Sequence, residues 1–250
     1  MAAEGHVSTQ LLAAFLAVAD GFGDLFAAVH GISHRLMVQV QLLERLDALN
    51  EAQELPVPEK GLTPNGTDVE FDNVSFAYGT RQVLSGVSFR VPPGMCCALI
   101  GPSGSGKTTI ARLVVRFEDV AQGAVRIGGV DVRDMKPDTL NSHISYVFQD
   151  VFLFRGSVAD NIRLGRHAAS HDDVMDAAKA AGAHAFIANL PEGYNTCLGE
   201  GGYGLSGGER QRVSIARAIL KDAPILILDE ATAFAAPENA ALLQDANSRL

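Results

Sequence analysis

The chain has 250 residues, 47% hydrophobic and 20% charged, with a formal net charge of −9. That balance supports one or two globular domains with a sizeable core and argues against nucleic acid as a partner. The three cysteines, Cys96, Cys97 and Cys197, suggest no disulfide framework, and a reducing cytoplasm is expected. The N-terminus lacks the basic start and small-residue cleavage site of a signal peptide.

Residues 7–50 are rich in Leu, Ala and Val. The apolar runs Gly5 to Ala19 and Leu25 to His34 are interrupted by Asp20 and Asp24, and neither reaches the ~18 apolar residues of a membrane span. Leu42, Leu43, Leu46 and Leu49 have helical spacing. The stretch is predicted to be one long amphipathic helix or two shorter ones. Residues 51–67 carry Pro56, Pro58, Pro64 and Gly66 among several charges, which predicts a linker and a domain boundary. No internal repeat of 20–50 residues is present.

Val69 to Tyr78 alternates apolar and polar positions and predicts a strand. Gly79-Thr80 turns it, and Val83 to Val91 supplies another. Tyr78 closes the first strand, either as an aromatic face for a nucleotide base or as an ordinary strand tyrosine. Pro92-Pro93-Gly94 and Gly101 bound the apolar run Cys96 to Ile100, predicted to be a buried strand.

Then comes Gly101-Pro102-Ser103-Gly104-Ser105-Gly106-Lys107-Thr108-Thr109. It matches the phosphate-binding pattern G-x-x-x-x-G-K-[ST] at every fixed position. Glycines let backbone N–H groups curl around phosphates with no Cβ in the way. Lys107 brings a point charge to the β/γ-phosphates, and Thr108 offers a hydroxyl to Mg²⁺. Thr109 to Phe117 predicts the helix whose N-terminus favours an anion.

Gly123 to Val132 predicts a hairpin turning at Gly128-Gly129, and Ile144 to Phe148 a short strand ending at Gln149. The Gln149 amide either reaches Mg²⁺ or water, or is a solvated strand cap. Ser170-His171-Asp172-Asp173 is a capping box that opens a helix to about Asn189, ended by Pro191-Glu192-Gly193. Gly199 to Gly204 is a loop.

Ser206 and Glu209 again have capping-box spacing, so a helix is predicted from Ser206 to about Leu220. Gly207 and Gly208 disfavour a first helical turn. They make sense where something anionic must approach the backbone; otherwise they are a plain glycine-rich start. Ile225 to Glu230 predicts a buried strand ending in two carboxylates. Beside a phosphate loop, Asp229 would hold Mg²⁺ and Glu230 would act as general base toward water.

Taken together, these segments resemble the ATP-binding domain of an ABC transporter over about residues 68–240. GPSGSGKTT and ILILDE resemble its Walker A and Walker B motifs, and LSGGERQR its signature motif. Gln149 matches the Q-loop glutamine and Tyr78 the aromatic A-loop residue. FQDVFLFRGSVADNI resembles the exporter-type branch. LLAAFLAVADGFGDLF with QLLERLDAL is similar to the last transmembrane helix of an exporter-type half-transporter and its cytoplasmic extension. DEATAFAAPENA resembles a bacterial subgroup of exporter-fold transporters, some linked to siderophore uptake.

The resemblance implies an α/β P-loop NTPase fold with a helical subdomain and an N-terminal helical segment. It divides the chain into residues 1–50 (the end of a transmembrane domain), 51–67 (linker) and 68–250 (a C-terminally truncated ATP-binding domain). ATP and Mg²⁺ are the implied ligands. Tyr78, residues Gly101 to Thr109, and Ser206, Gly207 and Gly208 would bind ATP; Thr108, Gln149 and Asp229 would hold the metal; Glu230, Gln149 and Lys107 would be catalytic. The implied partners are a second ATP-binding domain and a transmembrane domain, at the cytoplasmic face of the cell membrane. Two departures qualify the expected turnover. The D-loop aspartate falls on Ala236, and the switch histidine would lie beyond Leu250. A soluble ABC-type ATPase without a transport role, and an ATP-binding fragment without turnover, are the alternatives.

Overall fold

The computed structural model describes residues 8–50 and 54–229. The chain separates into two compact units, residues 1–54 and 55–250.

In the first unit, α1 (Thr9–Asn50) is one continuous helix of 42 residues rather than two. The Ser8 hydroxyl accepts from the Leu11 amide at 3.2 Å and caps its start. Leu11, Phe15, Ile32, Leu36, Met37 and Leu43 are among its exposed apolar side chains. Among the described residues, no helix is long and apolar enough to cross a membrane.

The second unit opens with an antiparallel sheet of order β2-β1-β3-β4, built from β1 (Val69–Tyr78), β2 (Arg81–Val91), β3 (Gln122–Ile127) and β4 (Val130–Asp131). β1 and β2 pair from Val69–Val91 to Tyr78–Arg81 around the two-residue turn Gly79-Thr80. A register shift between Phe71 and Val74 interrupts the alternation, so Phe71, Val74 and Phe76 all face inward, and Phe71 stacks on Phe89 at 4.6 Å. The β3–β4 hairpin turns at Gly128 and Gly129, both with positive φ (53° and 80°), the geometry of the tightest two-residue loops. Leu113 and Val114 of α2 (Lys107–Val114) and Leu140 of α3 (Pro137–His143) complete this core with Val125, Ile127 and Met135.

A second core lies among α4 (Val158–Arg163), α5 (His171–Ala180), α6 (His184–Ala188) and α7 (Gly207–Lys221). Capping boxes at Ser157, Ser170 and Ser206 start α4, α5 and α7. A two-stranded antiparallel pair, β6 (Gly156–Ser157) with β7 (Cys197–Leu198), closes its edge. A parallel pair, β5 (Ile144–Val147) and β8 (Ile225–Leu228), registers Ile144 with Ile225 and Val147 with Leu228. Ile144 belongs to the sheet core and Val147 to the helical core.

Three local expectations are corrected. Cys96 to Ile100 is neither a strand nor buried: it carries no ladder, and Ile100 is 94% exposed. An apolar run becomes a buried strand only where neighbouring strands take up its hydrogen bonds. Among the described residues β8 pairs with β5 alone. The helix expected over 109–117 starts at Lys107 and stops at Val114. Arg116 turns to φ 54°, held by Asp119 at 2.8 Å and the Pro56 carbonyl at 2.7 Å. The helix expected from Ser170 to Asn189 breaks at Gly182 (φ 64°) into α5 and α6. The capping-box start is where expected; the break comes from a glycine that the apolar periodicity runs through.

Candidate functional site

Residues Gly101 to Ser105 form an exposed loop, and Gly106 is the buried N-cap of α2 with φ 92°. That left-handed backbone is open to glycine at no steric cost. A Cβ there would also approach Leu84 Cδ2 to 2.7 Å. No side chain caps α2 and no acid stands in its first turn, so its leading N–H groups are available to an anion. The Lys107 ammonium donates to the Gly101 and Pro102 carbonyls at 3.1 and 2.9 Å, folded back over its own loop. Thr109 is buried beneath.

Asp229 is the meeting point. Its Oδ1 accepts from the Thr108 hydroxyl at 3.0 Å, its Oδ2 accepts from the Tyr146 hydroxyl at 3.1 Å, and its own N–H donates to the Val147 carbonyl at 3.0 Å. The residue is 8% exposed. Burial and the neighbouring Asp229 carboxylate push the Tyr146 phenol above its ordinary pKa, so it stays a donor. A hydroxyl and a carboxylate brought together are hard oxygen donors of the kind Mg²⁺ takes when most of its shell is water. The residues present therefore fit a Mg²⁺ ion.

Gln149 lies two residues past the end of β5 and is exposed. Tyr78 ends β1, 39% exposed, with Phe76 edge-on at 4.8 Å. A hydrogen bond to Tyr78 raises the pKa of Arg112 on α2, which sets the tyrosine beside the helix that the phosphate loop opens. Glu230 and Ala236 lie outside the described residues.

Ser206, Gly207 and Gly208 stand apart from this cluster, at the start of α7. The Ser206 hydroxyl donates to Glu209 Oε2 at 2.7 Å, and the Ser206 N–H donates to the same oxygen at 2.8 Å. These bonds hold the Glu209 carboxyl below its usual range. A Cβ at Gly207 would meet nothing within 4 Å, and one at Gly208 only Arg212 Nη1 at 3.8 Å. Packing among the described residues does not require either glycine.

Residues 84–233 match the family model described as ABC transporter. The chain belongs to the ABC transporter family. It is 41% identical over 244 residues to a mycobactin import ATP-binding/permease protein of Mycolicibacterium thermoresistibile, covering 97% of this chain and 42% of that protein. It is 47% identical over 187 residues to an ATP-dependent lipid A-core flippase of Desulfotalea psychrophila, covering 75% of this chain and 32% of that protein. A bacterial Atm1-family ABC exporter with ATP bound has a similar structure, with a TM-score of 0.74 and 39% identity over 84% of this chain and 37% of that one. The chain thus spans less than half the length of these relatives.

Within this ABC domain, two features have no local signal in the sequence. The first is Tyr146, whose hydroxyl reaches Asp229 only because β5 pairs with β8. The second is a groove of about 420 Å³ walled by Phe117, Tyr146, Phe148, Phe152, Phe154 and Arg217. Arg217 donates to the Asn161 carbonyl at 3.0 Å and to Asn161 Oδ1 at 3.2 Å, both uncharged acceptors. Burial lowers its pKa.

Proposed function

We propose that the chain is the ATP-binding and ATP-hydrolysing module of a transporter, working at the cytoplasmic face of the cell membrane. The observation that carries this reading is the contact between Thr108 and Asp229, 121 residues apart in sequence and joined at the opening of the phosphate loop. The adenine would lie against Tyr78. Lys107 would leave its two loop carbonyls for the β/γ-phosphates, and the uncapped N–H groups of α2 would receive the remaining phosphate charge. Thr108, Asp229 and Gln149 are the residues that would hold Mg²⁺, whose contribution when bound is neutralisation of phosphate charge. Glu230 would orient the attacking water and take its proton.

The open backbone at Gly207 and Gly208 would face the γ-phosphate on a second ATP-binding domain, so two domains would close head to tail over two nucleotides. The aromatic groove beside Gln149 is the surface assigned to the membrane domain. Phe148, Phe152 and Phe154 are each about half exposed there, and relatives named ATP-binding/permease proteins extend well beyond the length matched here.

Ser206→Arg tests this arrangement. It should leave ATP binding by the single chain intact and abolish ATP-dependent dimers in analytical ultracentrifugation. Loss of ATP binding by the single chain would place Ser206 in its own site and overturn the head-to-tail arrangement.

A further inference from the structure

Tyr146 belongs to no motif that the sequence singles out, yet its hydroxyl is one of two that hold the Asp229 carboxylate. The other, from Thr108, takes Oδ1 at 3.0 Å; Tyr146 takes Oδ2 at 3.1 Å. A carboxylate held at one oxygen alone can still turn about its terminal torsion, which is broad and two-fold. With its backbone N–H tied to Val147 and each oxygen on a separate hydroxyl, Asp229 has a single orientation.

The phenol is itself fixed. Its ring lies 4.4 Å from that of Phe148 and 6.2 Å from that of Phe117, and Phe117 and Phe148 stack at 6.0 Å. Its strand partner Ile227 stands two residues before Asp229 on β8. A phenol is long enough to span that offset, whereas the neighbouring Ser145 turns the other way, onto the Ala218 carbonyl.

We propose that Tyr146 is a positioning residue for the metal site: its hydroxyl fixes the face that the Asp229 carboxylate presents beside Thr108. This rests on the reading of Asp229 as a Mg²⁺-holding residue. A packing role alone needs the ring and not the hydroxyl, since phenylalanine would fill the same aromatic cluster. Groups that orient a metal-holding side chain change metal affinity by about 10–100-fold when removed.

The test uses the full 250-residue chain and Tyr146→Phe, with Mn²⁺ as the probe. Mn²⁺ is titrated into the ATP-loaded chain and followed by electron paramagnetic resonance. ATP affinity is measured separately in EDTA, and thermal melts are run on both proteins. Tyr146→Phe should weaken Mn²⁺ binding about tenfold, while ATP affinity in EDTA stays at the wild-type value and the variant still melts cooperatively. Unchanged Mn²⁺ affinity overturns the inference. So does an equal loss of ATP affinity in EDTA, which would make the tyrosine a support of the whole phosphate loop. A wild-type chain that binds no ATP overturns the proposed function and takes this inference with it; ATP binding with Mn²⁺ affinity insensitive to the hydroxyl overturns this inference alone.

Discussion

Lys107→Ala is the most direct perturbation of the phosphate loop. Without ligand, the ammonium donates to the Gly101 and Pro102 carbonyls at 3.1 and 2.9 Å in an exposed loop. Removing it leaves two carbonyls that water can satisfy, so the fold should lose little. With ATP bound, the ammonium would exchange those carbonyls for phosphate oxygens. A hydrogen bond to a charged group is worth ~1.5–3 kcal/mol, against roughly 0.5 kcal/mol for each exposed bond given up. The difference is on the order of 0.5–2 kcal/mol, which corresponds to roughly two- to thirtyfold in affinity, with tenfold inside that range. Isothermal titration calorimetry with Mg-ATP measures it, and adenosine supplies the comparison. The variant should lose about tenfold toward ATP and nothing toward adenosine. Equal ATP affinity in both proteins would refute the placement of Lys107 on phosphate, and an equal loss toward adenosine would place its effect elsewhere in the site.

Asn161 is 2% exposed and ties the 152–157 segment to α7: it bonds the Phe154 N–H and C=O at 2.8 and 2.9 Å, the Ser157 carbonyl at 3.1 Å and Arg217 at 3.2 Å. Asn161→Ala strands those partners, which should cost ~2–4 kcal/mol and lower the melting temperature by roughly 5–15 °C; an unchanged melt would show that water replaces the amide. Asp160, Asp173 and Glu209 each have a depressed carboxyl pKa, set chiefly by bonds from the capping serines Ser157, Ser170 and Ser206. Their stabilisation is present above the ordinary carboxylate pKa of about 4 and is lost as pH falls through the lower folded values. The melting temperature should therefore fall below about pH 4, and a chain with Asp160→Asn, Asp173→Asn and Glu209→Gln should show a shallower acid limb. An identical acid limb in both proteins would count against the caps.

What could be read from the sequence was local. Period-2 alternation located β1 and β2, glycine pairs located the β3–β4 hairpin, and capping-box spacing located the starts of α5 and α7, because each depends on residues within a few positions. The G-x-x-x-x-G-K-[ST] pattern and the acid that ends the 225–229 apolar run are local in the same sense. The expectation for 96–100 failed because burial of an apolar run depends on strands far away in sequence. Tyr146 and the aromatic groove were missed for a related reason. Only the parallel pairing of β5 with β8, which sets Tyr146 beside Ile227, places them.

That pairing also explains why the candidate site stands where it does. β5 presents Ile144 to the sheet core and Val147 to the helical core, so it is the seam between two separately packed clusters. Asp229 hangs from the seam by its bond to the Val147 carbonyl. Its carboxylate is shared between Thr108, on the helix that packs into the sheet core, and Tyr146, whose ring faces the groove lined by Arg217 of α7. Packed cores resist gradual deformation, so a shift of one cluster against the other concentrates at the bonds that cross the seam. The two hydroxyl contacts on Asp229 are such bonds. Asp229, proposed above to hold Mg²⁺, thus stands where the sheet core and the helical core meet, with one carboxylate oxygen bonded from each side.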